Sequence, residues 1–374
     1  MRIVVDGRML SWTGVGRYTH ALLEGLEALD RSNEYVVLMR PDDWSRWQPR
    51  EANFRRVECD IDPYSPGEQT ALPGILRGLA PDVVHFVTPN AAALYRGTKV
   101  VTVHDLTLLD FDTSRGSLPR RTAGKLKRLP FRLILMRQLA TATRIVTVTG
   151  YVRDQLIKRF GIDPARISAV WNAADSVHLS AAAEESVDGV TESDSLIFYV
   201  GTYFPYKNVR LLIEALALVS RTRPDVKLVL AGKAAEYKDE LLALAAARNV
   251  SDRVVMPGFI TDGQLTWLYR NSRMYVYPSL SEGFGLQGLE AMAQGLPVLS
   301  STATCLPEVY GDAALYFDPY AADDLAQKIV DLLEKPELAA ELAARGHQRL
   351  SMFSWRATAE ATHQIYLEAV QWRR

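Results

Sequence analysis

The sequence predicts an α/β protein of two doubly wound, Rossmann-like domains that face each other across a cleft. Three observations carry that expectation. Short apolar runs with strand character alternate with amphipathic helical segments through the whole chain. The 374 residues suffice for two domains of ordinary size. Between 176 and 194 the composition shifts to Ala, Ser, Glu and Asp without periodicity, as in a linker or long loop. The expected domains are 1–175 and 176–352, with a last helix at 353–374 packing back on the first. Strand–helix alternation with right-handed crossovers allows little else.

Composition narrows the class. Hydrophobic residues make up 48% and charged residues 23%, with a net charge of −1. Such a balance argues against nucleic acid as the partner. Cys59 and Cys305 lie far apart and form no metal-ligand or redox pattern. No apolar run approaches the roughly 18 residues that span a bilayer. The first residues, M-R-I-V-V-D, enter a strand without a leader pattern. The expectation is a cytoplasmic protein with at most peripheral contact at the inner face of the plasma membrane.

In chain order, Met1–Asp6 reads as a buried strand, followed by a loop Gly7–Gly16. The run G-V-G-R-Y-T (14–19) leads into a helix with Tyr18, Leu22, Leu23 and Leu26 on one face. Its Gly-x-Gly permits close backbone approach, but the third glycine of a dinucleotide fingerprint is missing. Tyr35–Met39, Val83–Val87 and Lys99–Val103 read as further parallel strands. Ligands of such sheets gather at the carboxyl ends of strands, which favours His104 as a site residue. His85 lies inside its strand, where structural and functional readings both stand. Asp110-Phe111-Asp112 has the D-x-D spacing of a divalent-metal motif, but it falls in a loop and reads as solvated acids. From Thr113 to Arg153 there is no acid and there are ten basic residues. That stretch is either a solvated helix face or a basic amphipathic element facing an anionic membrane or acceptor. Ile145–Thr149, the helix Tyr151–Phe160 and Ile167–Trp171 complete the first half.

A second series follows. Leu196–Val200 leads to G-T-Y-F-P-Y-K-N (201–208) and a helix with Leu211, Leu212, Ile213 and Leu216. Lys227–Ala231 ends in Gly232-Lys233. Then come the helix Glu240–Arg248, the strand Arg253–Met256, and a helix to Asn271 capped by Thr261 or Asp262. Met274–Tyr277 precedes P-S-L-S-E-G-F-G-L-Q-G-L-E (278–290), in which Glu282 and Glu290 flank Gly283, Gly285 and Gly288. A strand, a glycine turn and a helix N-terminus form an anion site. The two carboxylates suit sugar hydroxyls on either side of a diphosphate. Pro297–Ser300, a short helix from Cys305, Ala314–Phe317 and helices near 322–334, 336–350 and 354–372 close the chain. The expected cleft joins Gly14–Gly16 and His104 to Lys207 and Glu282–Glu290.

These residues resemble a retaining family 4 glycosyltransferase (group 1) of the GT-B fold, in its mannosyltransferase-like branch. The resemblance covers nearly the whole chain. It is strongest at S-E-G-F-G-L-Q-G-L-E-A-M-A-Q-G-L-P-V (281–298), with support from V-G-T-Y-F-P-Y-K-N (200–208), L-V-L-A-G-K (228–233), M-P-G-F-I (256–260), G-V-G-R-Y-T (14–19), V-H-D-L-T (103–107) and W-N-A-A-D (171–175). It implies that Glu290 binds the donor ribose and Glu282 the transferred sugar. Amides around Gly283, Phe284, Gly285 and Leu286 would hold the diphosphate. Lys207 would neutralise the leaving group, and His104 would touch the sugar. Gly16 would approach the phosphates, and the segment around Phe259 would contact the base. Arginine is usual where Tyr206 or Thr202 stands here, so Arg210 or Lys233 is expected to supply the missing charge. Lys233 is favoured because it follows a strand end.

The implied reaction moves a hexose, foremost mannose from GDP-mannose, to a glycan, polysaccharide or glycolipid hydroxyl. It uses no metal and no cofactor beyond the nucleotide sugar. The alternatives are a UDP-sugar-dependent transferase, an epimerase, and a non-catalytic sugar-nucleotide-binding protein on the same fold.

Overall fold

A computed structural model describes residues 1–89, 91–111, 131–174, 183–232 and 237–372. Lys233, Asp112, Asp175 and the basic residues of 115–130 lie outside the described residues. The chain divides into two compact units, Met1–Asn172 with Ser354–Arg374, and Ala173–Phe353.

The first unit holds a seven-stranded parallel sheet: β1 (Arg2–Asp6), β2 (Glu34–Met39), β3 (Phe54–Glu58), β4 (Val83–Phe86), β5 (Lys99–Val103), β6 (Arg144–Thr147) and β7 (Ile167–Ala169). Their order is β3-β2-β1-β4-β5-β6-β7. Side chains alternate across the sheet, so Ile3 and Val5 join one apolar cluster and Val4 the other. Burial on both faces explains why these strands read as continuous apolar runs. Strand β3 was not anticipated. Its F-R-R-V-E is polar because it forms the sheet edge, with Phe54 alone fully buried.

The first helix, Thr13–Leu29, begins earlier than expected, so Gly14 and Gly16 lie within it rather than in the loop. The last helix, Trp355–Trp372, packs Ile365, Tyr366 and Ala369 into the first unit's core. The Thr358 hydroxyl donates to the Trp171 carbonyl at 2.6 Å, and Arg144 pairs with Glu368 at 2.9 Å. Residues 131–141 are helical, with Leu135 and Leu139 buried and Leu133 and Met136 exposed.

The second unit holds six parallel strands: β8 (Ser195–Val200), β9 (Val226–Ala231), β10 (Val254–Gly258), β11 (Met274–Tyr277), β12 (Val298–Ser301) and β13 (Ala314–Phe317). They are ordered β10-β9-β8-β11-β12-β13. Thr261 caps the helix Asp262–Asn271 in a reciprocal box with Gln264. The described part of the stretch 176–194, from 183 on, is tied to the second unit by side-chain contacts. Glu185 accepts from the Thr261 hydroxyl at 2.8 Å, Glu184 pairs with Arg270, and Asp194 with Lys227 at 3.1 Å. Its acids thus pair with a hydroxyl and two basic side chains of the second unit.

Candidate functional site

Topology places the site of the second unit. From β8 the chain runs outward through β9 and β10, then crosses back to lay β11 on the other side of β8. The β8/β11 boundary is therefore the topological switch point, where the loops leaving two neighbouring strands diverge. The β8 loop carries Lys207 and the β11 loop carries Glu282.

The two loops are joined by main-chain and amide contacts. Pro205–Lys207 form a single 3-10 turn that ends on Asn208 in the left-handed region (φ +56°). Asn208 Nδ2 donates to the carbonyls of Pro278 (3.1 Å) and Pro319 (2.8 Å), and the Leu280 amide donates to the Tyr206 carbonyl at 2.7 Å. Lys207 Nζ then reaches Glu282 Oε1 at 2.6 Å, and the side chains are only 16% and 12% exposed. The structure thus brings together two charges that lie 75 positions apart in the chain.

After Glu282 the chain turns into the helix Leu286–Ala293 through Gly285, at φ +97°. No side chain caps this helix and no acid lies in its first turn, so its positive end faces the loop. The glycines have a second reason to be glycine. The Tyr310 hydroxyl donates to the Gly285 carbonyl at 2.6 Å, and a Cβ at Gly285 or Gly288 would collide with Tyr310. Burial pushes the Tyr310 phenol well above its usual range, which keeps it a donor. Phe284 is buried against Phe353, ring centroids 5.8 Å apart, so its side chain is committed to packing. Leu286 is half-buried at the first helical position.

Glu290 lies inside the same helix and is buried, with the Tyr269 hydroxyl donating to Oε2 at 3.2 Å. Phe259 follows β10 and is 72% exposed. Arg210 sits on the exposed face of the helix Val209–Val219.

In the first unit, the switch point lies between β1 and β4. His104 follows β5, half-buried, with its ring edge-on to Tyr18 at 4.9 Å. Its Nε2 lies 2.9 Å from the Val87 carbonyl, which can only accept, so Nε2 bears the proton. Burial lowers the His104 pKa, leaving a neutral ring with Nδ1 as acceptor. Gly16 packs directly on the Leu10 carbonyl, and a Cβ there has no room. Its need for glycine is therefore met within the fold.

Other motif residues take structural places. His85 is fully buried and bridges Tyr366 and Thr102 at 2.7 Å each, which resolves it as a core residue. Arg8 of the early D-G-R grips Asp6 (2.7 Å) and Glu68 (2.9 Å) in a fully buried network. Asp110 ends a short helix, Thr107–Asp110, and is a solvent-exposed acid as expected, paired at the surface with Arg159 at 2.8 Å.

Three residues at the second-unit site carried no signal of their own in the sequence. They are Tyr269 under Glu290, Tyr310 under the glycine turn, and Thr304, whose Oγ1 accepts from the Glu282 amide at 3.1 Å.

Two family models together match most of the chain. Residues 12–177 match that described as Glycosyltransferase Family 4, and residues 182–349 that described as Glycosyl transferases group 1. O-antigen chain mannosyltransferase B of Escherichia coli is 32% identical over 237 residues, covering 62% of this chain and 62% of that protein. D-inositol 3-phosphate glycosyltransferase of Segniliparus rotundus is 30% identical over 241 residues, covering 62% of this chain and 54% of that protein. The match thus spans less than two thirds of the length of these curated relatives. Sucrose-phosphate synthase from Thermosynechococcus elongatus is similar in structure, with a TM-score of 0.75 at 20% identity over 98% of both chains. Anabaena HepE, solved with UDP and glucose, gives 0.74 at 18% identity over 97% of this chain and 98% of that one.

Proposed function

The chain belongs to the family 4 (group 1) glycosyltransferases and has the GT-B fold, and from that premise we propose that it is a retaining, metal-independent hexosyltransferase using GDP-mannose. The observation that carries the reading is the Lys207–Glu282 pair at the β8/β11 switch point, beside the uncapped N-terminus of Leu286–Ala293.

In this reading a donor diphosphate lies at the helix N-terminus, held by amides around Gly283, Phe284, Gly285 and Leu286. Lys207 leaves Glu282 to meet it, and so stabilises the charge that builds on the leaving group. Glu282 exchanges Lys207 for hydroxyls of the transferred sugar. Glu290 accepts from the ribose, and Phe259 and its neighbours meet the base. His104 contacts the transferred sugar with Nδ1 as acceptor, and Gly16 keeps the first loop close to the phosphates. The bond from C1 to the diphosphate oxygen breaks, and the acceptor oxygen bonds to C1 on the same face. The acceptor proton passes to the leaving diphosphate. Lys207 supplies the positive charge that a divalent ion gives other transferases, and Asp110 is already committed to Arg159. Lys233 remains the expected second cation.

Mannose as the sugar is supported by the Escherichia coli mannosyltransferase relative. The UDP-bound structural neighbour favours the second reading, a UDP-sugar donor. For the acceptor we propose a glycan, a mannose-containing polysaccharide foremost, or a glycolipid. Exposed Arg132, Leu133, Met136 and Arg137 on 131–141 support peripheral contact at a cytoplasmic membrane face. No described helix is long and apolar enough to cross a membrane.

A thermal-shift screen of GDP-, UDP- and ADP-sugars, followed by radiolabelled transfer to mannose oligosaccharides, tests this. A rise in melting temperature with GDP-mannose and label in the acceptor are expected. A shift with UDP-sugars alone would move the donor assignment. Donor turnover without acceptor would indicate an epimerase, and tight binding with no transfer a sensor.

A further inference from the structure

Glu282 is held at three points, and two of them belong to a loop with no role so far. That loop, 302–305, follows β12. The Thr304 hydroxyl accepts from the Glu282 amide at 3.1 Å, and Cys305 Sγ donates to the Glu282 carbonyl at 3.3 Å. One strand end earlier, the Ser301 hydroxyl donates to the Ser279 carbonyl at 2.6 Å and receives the Ala303 amide at 3.3 Å. The end of β12 thus grips the main chain of the β11 loop on both sides of the Glu282 residue. The third point is the carboxylate itself, on Lys207.

Thr304 makes its contact from an unfavourable conformation. Its φ is +53°, and it is the one β-branched residue at positive φ among the described residues. Asn208 and Asn249, also at positive φ, are of a type that tolerates the left-handed region, whereas a β-branched side chain is strained there. Strain of this kind persists where the surroundings over-determine it, and it concentrates at functional sites.

We propose that Thr304 is a positioning residue for Glu282. It fixes the Glu282 main chain so that the carboxylate stays on the sugar when Lys207 withdraws toward the diphosphate. The need follows from the pair itself: a carboxylate held only by Lys207 would follow that lysine, and a displacement of about 1 Å costs up to about a hundredfold in rate. This assignment rests on the donor-site reading above, but its main-chain part does not depend on any donor.

The test uses the full chain with Thr304→Val, which keeps the shape and removes the hydroxyl, and Thr304→Ser, which keeps the hydroxyl. Amide hydrogen exchange over 279–284 needs no ligand. It should quicken at least tenfold in Thr304→Val, stay near wild type in Thr304→Ser, and be unchanged in β8 in both. In transfer assays, Thr304→Val should lose about ten- to a hundredfold in kcat and retain affinity for the free nucleoside diphosphate. Thr304→Ser should restore the rate. In a Glu282→Ala background, Thr304→Val should add little, because both changes act through one carboxylate. Unchanged exchange in Thr304→Val overturns the proposal whatever the donor. So does full additivity with Glu282→Ala, or equal loss in the Val and Ser variants. If wild type transfers no sugar at all, the functional reading fails, and the exchange measurement alone decides the positioning claim.

Discussion

Lys207 and Glu282 neutralise each other across 2.6 Å, although a donor would require each of them elsewhere. In the proposed donor site the ion pair would compete with the ligand, and the two residues should respond differently to removal. Lys207→Ala should weaken binding of the free nucleoside diphosphate and cut transfer at least about a hundredfold, the scale of one lost transition-state contact. Glu282→Ala should cut transfer as deeply, yet bind the free diphosphate more tightly, because Lys207 no longer has to leave a partner. Calorimetric titration beside a radiolabel assay separates the two. Near-normal rates in both variants would remove this pair from the site.

Tyr310 and the glycine turn give a second prediction. Gly288→Ala drives a methyl into the Tyr310 ring. Overpacking of this sort costs about 1–3 kcal/mol, readable as a lower denaturant midpoint. Tyr310→Phe leaves the Gly285 carbonyl without its 2.6 Å donor and should cost about 1 kcal/mol. If Gly288→Ala is as stable as wild type, the glycine is there for the ligand alone.

Much of this was legible in the sequence, for reasons that differ by residue. Ile3, Val4 and Val5 announced a strand buried on both faces, and Leu22, Leu23 and Leu26 a helix packed on it. Glu282 and Lys207 stood out because a carboxylate beside a glycine turn and a lysine after a strand end are chemically pointed. That they touch follows from strand order, which no local pattern encodes. Edge strand β3 was missed because Arg55 and Arg56 break the apolar run that marks central strands. Thr304 and Tyr310 were invisible because their importance lies in what they reach, 22 and 25 positions away. What the glycines pack against was not legible: Gly16 makes room for the Leu10 main chain and Gly288 for Tyr310.

The last helix should be indispensable to the first unit. Tyr366 sits in its core and its hydroxyl meets His85 Nδ1 at 2.7 Å. Tyr366→Phe strands a buried ring nitrogen and should cost about 1–3 kcal/mol, seen in a thermal melt. Ending the chain at Phe353 removes Ile365, Tyr366 and Ala369 from that core and should yield insoluble protein. A soluble truncated chain with a native far-UV spectrum would contradict this.

Two buried groups of the first unit should pull its stability in opposite directions with pH. Burial lowers the His85 pKa from 6.5 to about 3, so below about pH 6.5 the unfolded chain binds the extra proton and stability falls as pH drops toward 3. Burial raises Glu68 from 4.5 to about 7, outweighing the pull of Arg8, which Asp6 already holds. Between about pH 4.5 and 7 the folded chain is the one that keeps this proton, so stability falls as pH rises through that window. Relative to wild type, His85→Gln should therefore lose less stability on acidification from pH 6.5 to 5. Glu68→Gln should lose more over the same range. Urea midpoints at a series of pH values measure both. Parallel curves for wild type and both variants would mean that neither group titrates between these states.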